Sequence, residues 1–411
     1  MSRSNLFQTY RGLPQSVYII FIAQIINRFG DFVRPFLTLF LTSYFGYSVA
    51  TTGIFVMLNT LVSIPGSFLG GRIADHYGRK KAYIVFQSIA GFTLFLCAFF
   101  YKQPFMIGLI MASSFFGGAV RPIISAILAD VLSPEDRQRG FSLSYLGINI
   151  GVALGPIVAG FLFNHFLVMI FIGDALTSLI AVLLVAFRIH ESLPNEASNE
   201  VFSEEEAHAT GSAISVLLKR PVLLAFLFFN IFISASYIQV SFSLPLTLEG
   251  LFGEKAAPIF GSLMSFNAIV VIVMTLVVTR FSKHFRPITN VVIAASTYII
   301  GFGLIGMITD LPFFWLTTFI WTLGEILMSI NFGVFIVNQT PQNFRARFHA
   351  VSSLSFAVGS IIGTALVGYY IDRYNVYTVW YLIAGLSTIG TLGMLYVRTL
   401  VIKGERLKKQ S

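Results

Sequence analysis

The sequence predicts an all-α membrane protein of twelve transmembrane helices, arranged as two pseudo-symmetric bundles of six. Three observations support this prediction: a strongly apolar composition, twelve apolar runs along the chain, and a second half that repeats features of the first. Of the 411 residues, 56% are hydrophobic and only 11% are charged, whereas about a quarter of the residues of a soluble protein carry charge. The mean hydropathy is +0.80. A bilayer is therefore the expected environment of this chain.

Each apolar run is long enough to cross the hydrocarbon core as a helix, which takes about 20 residues. The first run carries charged residues and is longer than the apolar core of a cleavable signal peptide, so we expect it to remain as helix 1. Helices 1 to 12 are predicted, in order, at residues 17–41, 49–71, 82–101, 105–131, 140–163, 166–188, 218–248, 256–279, 288–309, 312–338, 348–371 and 376–400.

The basic residues between these helices are unevenly distributed. Of the 27 Lys and Arg residues, 21 fall in the N-terminal tail, the even-numbered loops and the C-terminal tail, including the helix ends that adjoin them. Cytoplasmic loops are rich in Lys and Arg, so both termini are predicted to be cytoplasmic. The net charge of +9 follows from this bias, and we expect lipid rather than nucleic acid as the partner of these loops. The predicted location is the plasma membrane, in a bacterium the cytoplasmic membrane.

A polar linker at 189–217 divides an N-terminal six-helix bundle, 1–188, from a C-terminal bundle with a cytoplasmic tail, 218–411. Three sets of residues recur 208 positions later in the chain. They are Gly151, Gly155 and Gly160 with Gly359, Gly363 and Gly368; Arg72 and His76 with Arg280 and His284; and Arg137 and Arg139 with Arg345 and Arg347. Because the offset spans six helices, the two bundles have the same orientation in the membrane.

The loop between helices 2 and 3 runs from Gly71 to Lys81 and contains Asp75, Gly78 and Arg79. It resembles the loop signature of the major facilitator superfamily, with His76 in place of the usual Arg or Lys. The resemblance implies the major-facilitator fold and solute transport by alternating access. It also implies a conformational latch formed by Gly71, Asp75, Gly78, Arg79 and Asp130, in which Asp75 and Arg79 pair with Asp130 in the outward-facing state.

Helix 5 contains Gly151, Gly155, Pro156 and Gly160 and resembles the antiporter motif of drug–proton exporters. This implies proton-coupled export of small amphipathic molecules, as in multidrug resistance. Proton-coupled peptide transporters offer a competing resemblance, through Arg121-Pro122 in helix 4 and the Gly-Glu pair of helix 10, and imply uptake instead. In helix 1, however, Gln24 and Asn27 stand where peptide transporters have glutamates.

Six charged residues lie away from the ends of the predicted helices: Arg28, Asp31, Arg34, Arg121, Asp174 and Glu325. A charge at mid-bilayer costs about 2.5–3.5 kcal/mol by the lower estimates, so each residue is a functional candidate. Asp31 is three residues from two arginines, which also fits a structural ion pair on helix 1. Glu325 has no basic residue within four positions and is the first candidate for proton coupling. Asp31 and Asp174 are further candidates.

A substrate cavity is expected among polar residues of several helices, although a hydrogen bond between helices is the alternative for each of them. The predicted lining comprises Arg28, Arg34, Arg121, Tyr145, Asn149, Asn230, Tyr237, Asn267 and Asn331. No phosphate-binding glycine loop or metal-binding histidine pair is present, so neither an enzyme nor a cofactor is predicted, and a proton gradient is the expected energy source. Cys97 is interpreted as a packing residue, and the chain is expected to function as a monomer.

Overall fold

The computed structural model describes residues 10–133, 135–192, 220–339 and 345–410. The predicted linker at 189–217 lies almost wholly outside these residues. In the described part of the chain the secondary structure is helical, without strands. Its helices run Gln15–Phe29 with Val33–Leu39, Val49–Tyr77, Arg79–Phe100, Met106–Val131, Arg137–His165, Leu167–Arg188, Pro221–Tyr237 with Gln239–Phe252, Ala256–Ser282, Pro287–Ile305, Leu311–Asn338, Arg345–Arg373 and Val379–Gln410.

The twelve predicted spans are present in the structure, although two of them are nearly continuous. Eleven helical stretches of the described chain are long and apolar enough to cross a membrane, and one of them, Pro221–Ser282, has 62 residues. A helix of that length would extend about 90 Å at 1.5 Å per residue, three times the hydrocarbon thickness of about 30 Å. The stretch turns at Gly253, whose φ is +55°. It therefore provides helices 7 and 8.

Helices 1 and 7 are interrupted. Helix 1 ends at Phe29 and resumes at Val33, followed by a π-helical turn from Phe40 to Tyr44. Helix 7 ends at Tyr237 and resumes at Gln239. Gly30 and Ile238, at the two interruptions, are 208 residues apart. The repeat in the sequence therefore extends to irregularities of the backbone.

The chain forms two compact units, of which the first contains Met1–Gly46, Leu58–Asn195 and Phe252–Ile272. In this unit the glycines of helix 5 allow close helix contacts. A Cβ atom at Gly151 would lie 2.6 Å from the carbonyl oxygen of Ile25, and one at Gly155 would lie 2.4 Å from that of Phe29. Helix 5 therefore packs closely on helix 1 just before its break. Further along, a Cβ atom at Gly160 would lie 2.6 Å from the carbonyl oxygen of Ala257 in helix 8.

The second unit contains Tyr47–Met57, Glu196–Leu251 and Val273–Ser411. Here the glycines of helix 11 repeat the packing of helix 5, and a Cβ atom at Gly359 would lie 2.4 Å from the carbonyl oxygen of Ile231 in helix 7. Trp321 and Trp380 are among the largest fully buried side chains. These units differ from the predicted division at 189–217, because the start of helix 2 groups with the second unit and the start of helix 8 with the first. The bundles 1–188 and 218–411 stay a prediction.

Candidate functional site

A small polar pocket lies beside the break of helix 1, inside the first unit. Its volume is about 60 Å³, which leaves room for water. Helices 1, 3, 4 and 6 contribute its walls. The ionisable and amide residues that line it are Asn27, Arg28, Asp31, Arg34, Gln87 and Asp174. The structure therefore brings together two of the three predicted proton-coupling residues and two of the predicted cavity arginines.

Asp174 of helix 6 is buried, with 6% of its surface exposed. Its Oδ2 atom accepts a hydrogen bond of 3.4 Å from the backbone N–H of Val33, the first residue after the break of helix 1. A carboxylate at this point is stabilised by the positive end of the resumed helix. Asp31 and Arg34 lie within electrostatic range of Asp174. The carboxyl group of Asp174 thus faces the interrupted backbone of helix 1 as well as charged side chains.

Arg28 and Asp31 form the ion pair that their spacing predicts, with Nη1 and Oδ2 2.9 Å apart. The Nε atom of Arg28 is buried and has no hydrogen-bond partner among the residues that the structure describes. Gly30 follows directly, and a Cβ atom there would lie 1.7 Å from Oγ1 of Thr177. Only a residue without a side chain fits between the two segments of helix 1 and helix 6. Thr177 and Asp174 are one turn apart, so helix 6 contacts the break at two successive levels.

Ser178 of helix 6 connects the pocket to two amides. It accepts a hydrogen bond of 2.9 Å from Nε2 of Gln87 and one of 3.4 Å from Nδ2 of Asn27. Gln87, Thr177 and Ser178 were not predicted from the sequence. Uncharged polar residues in apolar runs give little signal, since most of them form hydrogen bonds between helices.

Helix 4 presents Arg121 as an exposed residue of the first unit. Neither Arg121 nor the exposed Arg34 takes part in a salt bridge with any acid in the part of the chain that the structure describes. A guanidinium at this depth is stable facing a water-filled cavity, not lipid. On helix 5 Tyr145 is 49% exposed, and Nδ2 of Asn149 donates to its carbonyl oxygen at 2.9 Å.

Glu325 lies in helix 10 of the second unit and is half-buried. Tyr298 of helix 9 lies within electrostatic range of its carboxyl group. The ring of Tyr237, at the interruption of helix 7, is 5.9 Å from that of Tyr298 and 6.5 Å from that of Trp321. In the second unit Glu325 therefore lies beside an aromatic cluster. No basic residue lies within four positions of it in the sequence.

Two of the predicted cavity residues are buried inside the second unit. Asn230 donates to Oγ of Ser355 at 2.9 Å and thereby connects helix 7 to helix 11. Asn331 accepts at 2.8 Å from Asn290 of helix 9. Their amides join helices, which is the alternative that the sequence leaves open for each of them, and their place in a substrate cavity stays a prediction. Asn267, on helix 8 in the first unit, is half-buried.

The loop between helices 2 and 3 places three of the predicted latch residues in contact. Arg79 forms ion pairs with Asp75 and with Asp130, its Nε lying 3.2 Å from Oδ2 of the latter. Gly78 has a φ of +106°, a backbone conformation that favours glycine. A Cβ atom at Gly78 would also lie 2.4 Å from Oε2 of Glu191, whereas one at Gly71 would meet nothing within 4 Å. We name Asp75, Arg79 and Asp130 the loop cluster.

Glu191, just after helix 6, contacts the start of helix 3, and no sequence pattern indicated this contact. Its Oε1 atom accepts a hydrogen bond of 3.2 Å from the backbone N–H of Lys80. The neighbouring Ser192 donates to Oδ2 of Asp130 at 3.3 Å. The chain leaving helix 6 therefore closes over the loop cluster and satisfies the start of helix 3.

The family model of the Major Facilitator Superfamily matches residues 20–364 of the chain. The chain belongs to this superfamily. Like other members of the superfamily, it is a multi-pass membrane protein, and its relatives are transporters rather than enzymes.

Individual superfamily members resemble the chain at low identity over most of its length. A Na(+), Li(+), K(+)/H(+) antiporter of Planococcus maritimus is 24% identical over 362 residues, covering 80% of this chain and 83% of the antiporter. The multidrug resistance protein MdtH of Yersinia enterocolitica is 21% identical over 391 residues, covering 92% and 93%. The crystal structure of the nucleoside transporter NupG matches with a TM-score of 0.78 at 17% identity, covering 93% and 99%. Peptide transporters of the superfamily also match.

Proposed function

We propose that this protein is a proton-coupled secondary transporter that exports small amphipathic organic molecules by alternating access. The observation that supports proton coupling best is the buried carboxylate of Asp174 at the break of helix 1, with Asp31 beside it. A carboxyl group buried inside the membrane can bind and release a proton as its surroundings change, and such acids mark proton relays in transporters. Glu325 is proposed as a second proton-binding residue, in the other unit.

Protonation of Asp174 would act on the shape of helix 1. A neutral Asp174 interacts less favourably with the positive end of the segment that begins at Val33, and its attraction to Arg34 is lost. Helix 5 contacts helix 1 through Gly151 and Gly155 just before the break, so a change there also changes that contact. Proton binding and helix geometry are thereby coupled.

Export is supported by the antiporter-like glycine pattern of helix 5 and by two of the relatives. One is named a multidrug resistance protein and the other an antiporter that exchanges cations for protons. The energy source proposed is the proton gradient, without a bound cofactor. We further propose that the chain works as a monomer in a bacterial cytoplasmic membrane.

The test is transport by the purified full chain in proteoliposomes with an imposed pH gradient of either sign. The substrates offered should be cationic dyes, antibiotics, di- and tripeptides, and Na⁺, Li⁺ and K⁺, the ions named for the Planococcus relative. Substrate movement against its own gradient, in the direction opposite to proton flow, is the expected result. Equal movement with and without the gradient would contradict the proposal.

Uptake of peptides or other small nutrients is the second candidate. Exposed Arg121, without a salt bridge to any described acid, favours it, because a guanidinium binds carboxylates well. The same proteoliposomes distinguish the candidates, since a symporter accumulates peptide in the direction of proton flow. Loss of peptide uptake in Arg121→Gln, with dye transport unchanged, would assign Arg121 to that substrate.

A further inference from the structure

Asp372, near the end of helix 11, contacts the start of helix 2 within the second unit. The backbone N–H of Val49 donates to its Oδ1 atom at 2.8 Å, and that of Ala50 donates to its Oδ2 atom at 3.0 Å. Both carboxylate oxygens are thus occupied by the first two residues of helix 2, Val49–Tyr77. Neither the sequence patterns nor the family resemblance pointed to this residue.

Asp372 completes the hydrogen bonding at this helix end. The first four N–H groups of a helix have no partner within the helix. In helix 2 the N–H of Thr51 donates to Oγ of Ser48 at 3.2 Å, and that of Thr52 donates to the carbonyl oxygen of Ser48 at 2.9 Å. Asp372 accepts from the remaining two. Charge-assisted bonds of this kind are stronger than neutral ones, and the negative charge is also favourable at the positive end of a helix.

The helices cross closely beside this contact. A Cβ atom at Gly53 would lie 2.6 Å from the carbonyl oxygen of Thr364, and one at Gly368 would lie 2.9 Å from that of Val49. Thr52, between these levels, is fully buried. Separation of the start of helix 2 from helix 11 would therefore break two charged hydrogen bonds and expose Thr52.

We propose that Asp372 is a gating residue, which holds the predicted extracellular ends of helices 2 and 11 together in the inward-facing state. Helix 2 then has a charged contact at each end: Asp372 at its start and the loop cluster, with Asp75, at its end. The loop cluster lies wholly inside the first unit, so its formation does not assign the structure to the outward-facing state. Alternating access requires that the outer ends part when the outward-facing state forms, and the Asp372 contact is what must break. This inference rests on the proposed transport function but on neither its substrate nor its proton coupling.

Cysteine labelling tests the proposal directly, because the chain has one cysteine, Cys97, which is buried. In a Cys97→Ser background, Thr52→Cys is labelled with a membrane-impermeant maleimide from the predicted extracellular side of the full chain in proteoliposomes. Asp372→Asn should raise the labelling rate about tenfold, the scale of a charged hydrogen bond. Asp310→Asn is the matched control. It removes the same charge on the same predicted side, and Asp310 caps no helix through its side chain.

Val49→Pro probes the contact from the opposite partner. Proline lacks the N–H that bonds to Asp372, and it is well tolerated at the first residue of a helix. We expect a rise in labelling of about threefold, since one of two bonds is lost. In the double variant the two effects should combine to less than their product, because both act on one interaction.

Unchanged labelling in Asp372→Asn would overturn the proposal, and so would effects of the two substitutions that multiply independently. If Asp372→Asn does not insert into the membrane, the Val49→Pro variant decides alone, and a parental labelling rate would then overturn the proposal. Because labelling needs neither substrate nor gradient, the test keeps its meaning if the proposed function is wrong.

Discussion

The interruptions of helices 1 and 7 occupy equivalent places in the repeat, yet they are built from different chemistry. At helix 1 the surrounding groups are charged: Arg28, Asp31 and, from helix 6, Asp174. At helix 7 they are neutral and fully buried. Ser236 donates to the carbonyl oxygen of Ile383, and Gln239 donates to that of Ala235 while accepting from Ser243.

The difference teaches that this fold does not need charges to interrupt a transmembrane helix. Hydrogen bonds of hydroxyl and amide groups suffice at helix 7, and such bonds contribute about 0.6 kcal/mol each in membranes. The charges at helix 1 cost about 2.5–3.5 kcal/mol each before pairing. Their presence at only one of the two breaks indicates a role beyond shaping the backbone, and proton coupling is the role proposed above.

The strongest challenge to this comparison is Asp174→Asn. The asparagine keeps the size of the side chain and an oxygen for the N–H of Val33 but cannot change its charge. We expect transport driven by a pH gradient to fall to the level of liposomes without protein, while substrate exchange without a gradient continues. Gradient-driven transport at the rate of the unaltered protein would remove the functional distinction between the two breaks.

Glu325→Gln asks whether the second unit contributes to coupling through its own membrane acid. We expect gradient-driven transport to fall by about tenfold, with exchange preserved. This loss is smaller than the roughly hundredfold or greater contribution of a single proton-transfer group. The assay is the same as for Asp174→Asn, and the two variants should be measured side by side. Complete loss of gradient-driven transport in Glu325→Gln, with full activity in Asp174→Asn, would assign proton coupling to the second unit instead of the first.

Gly30→Ala tests the close fit of the helix 1 break against Thr177. The added Cβ atom would lie 1.7 Å from Oγ1 of Thr177, so overpacking should lower the free energy of unfolding by about 1–3 kcal/mol. Thermal denaturation in detergent measures the effect. Thr177→Gly in the same chain should restore part of the loss. Ile238 already carries a side chain at the equivalent place in helix 7, and Ile238→Ala should not reproduce the overpacking.

The smallest expected effect is that of Gln239→Ala at the neutral break. It removes the acceptor of Ser243 and the donor to Ala235, which should lower the free energy of unfolding by about 1 kcal/mol. Coupling of transport to the pH gradient should be unchanged. The exposed Gln103→Ala serves as the control for stability. Loss of coupling in Gln239→Ala would show that the neutral break is also part of the proton mechanism.

Much of the fold could be predicted because hydropathy and charge are properties of short segments. The predicted limits of helix 8, 256–279, differ by three residues from the observed Ala256–Ser282. The pairing of Arg28 with Asp31 followed from their spacing on one helix. The contact of Arg79 with Asp130 was available only through the family resemblance, since 51 residues separate them.

The remaining features depend on contacts between distant segments. The sequence ranks Asp174 below Glu325 as a proton-coupling candidate, because no local pattern indicates that Asp174 faces the backbone of Val33. Gly30 next to Asp31 was the available signal for a break in helix 1. At helix 7, Ile238 gives no such signal. For Asn230 and Asn331 the sequence cannot distinguish a cavity residue from an interhelical one, because the same amide group can bind either a substrate or another helix.

The turn at Gly253 also bears on how the protein enters the membrane. Helices 7 and 8 are joined by Gly253–Lys255 alone, so they fit insertion as one helical hairpin. Between the predicted helix limits, residues 249–255 carry the charges of Glu249, Glu254 and Lys255, which sum to −1. Translocation of this connection moves one negative charge outward, and an inside-negative membrane potential favours this step of biogenesis by about 2.3 kcal/mol per 100 mV.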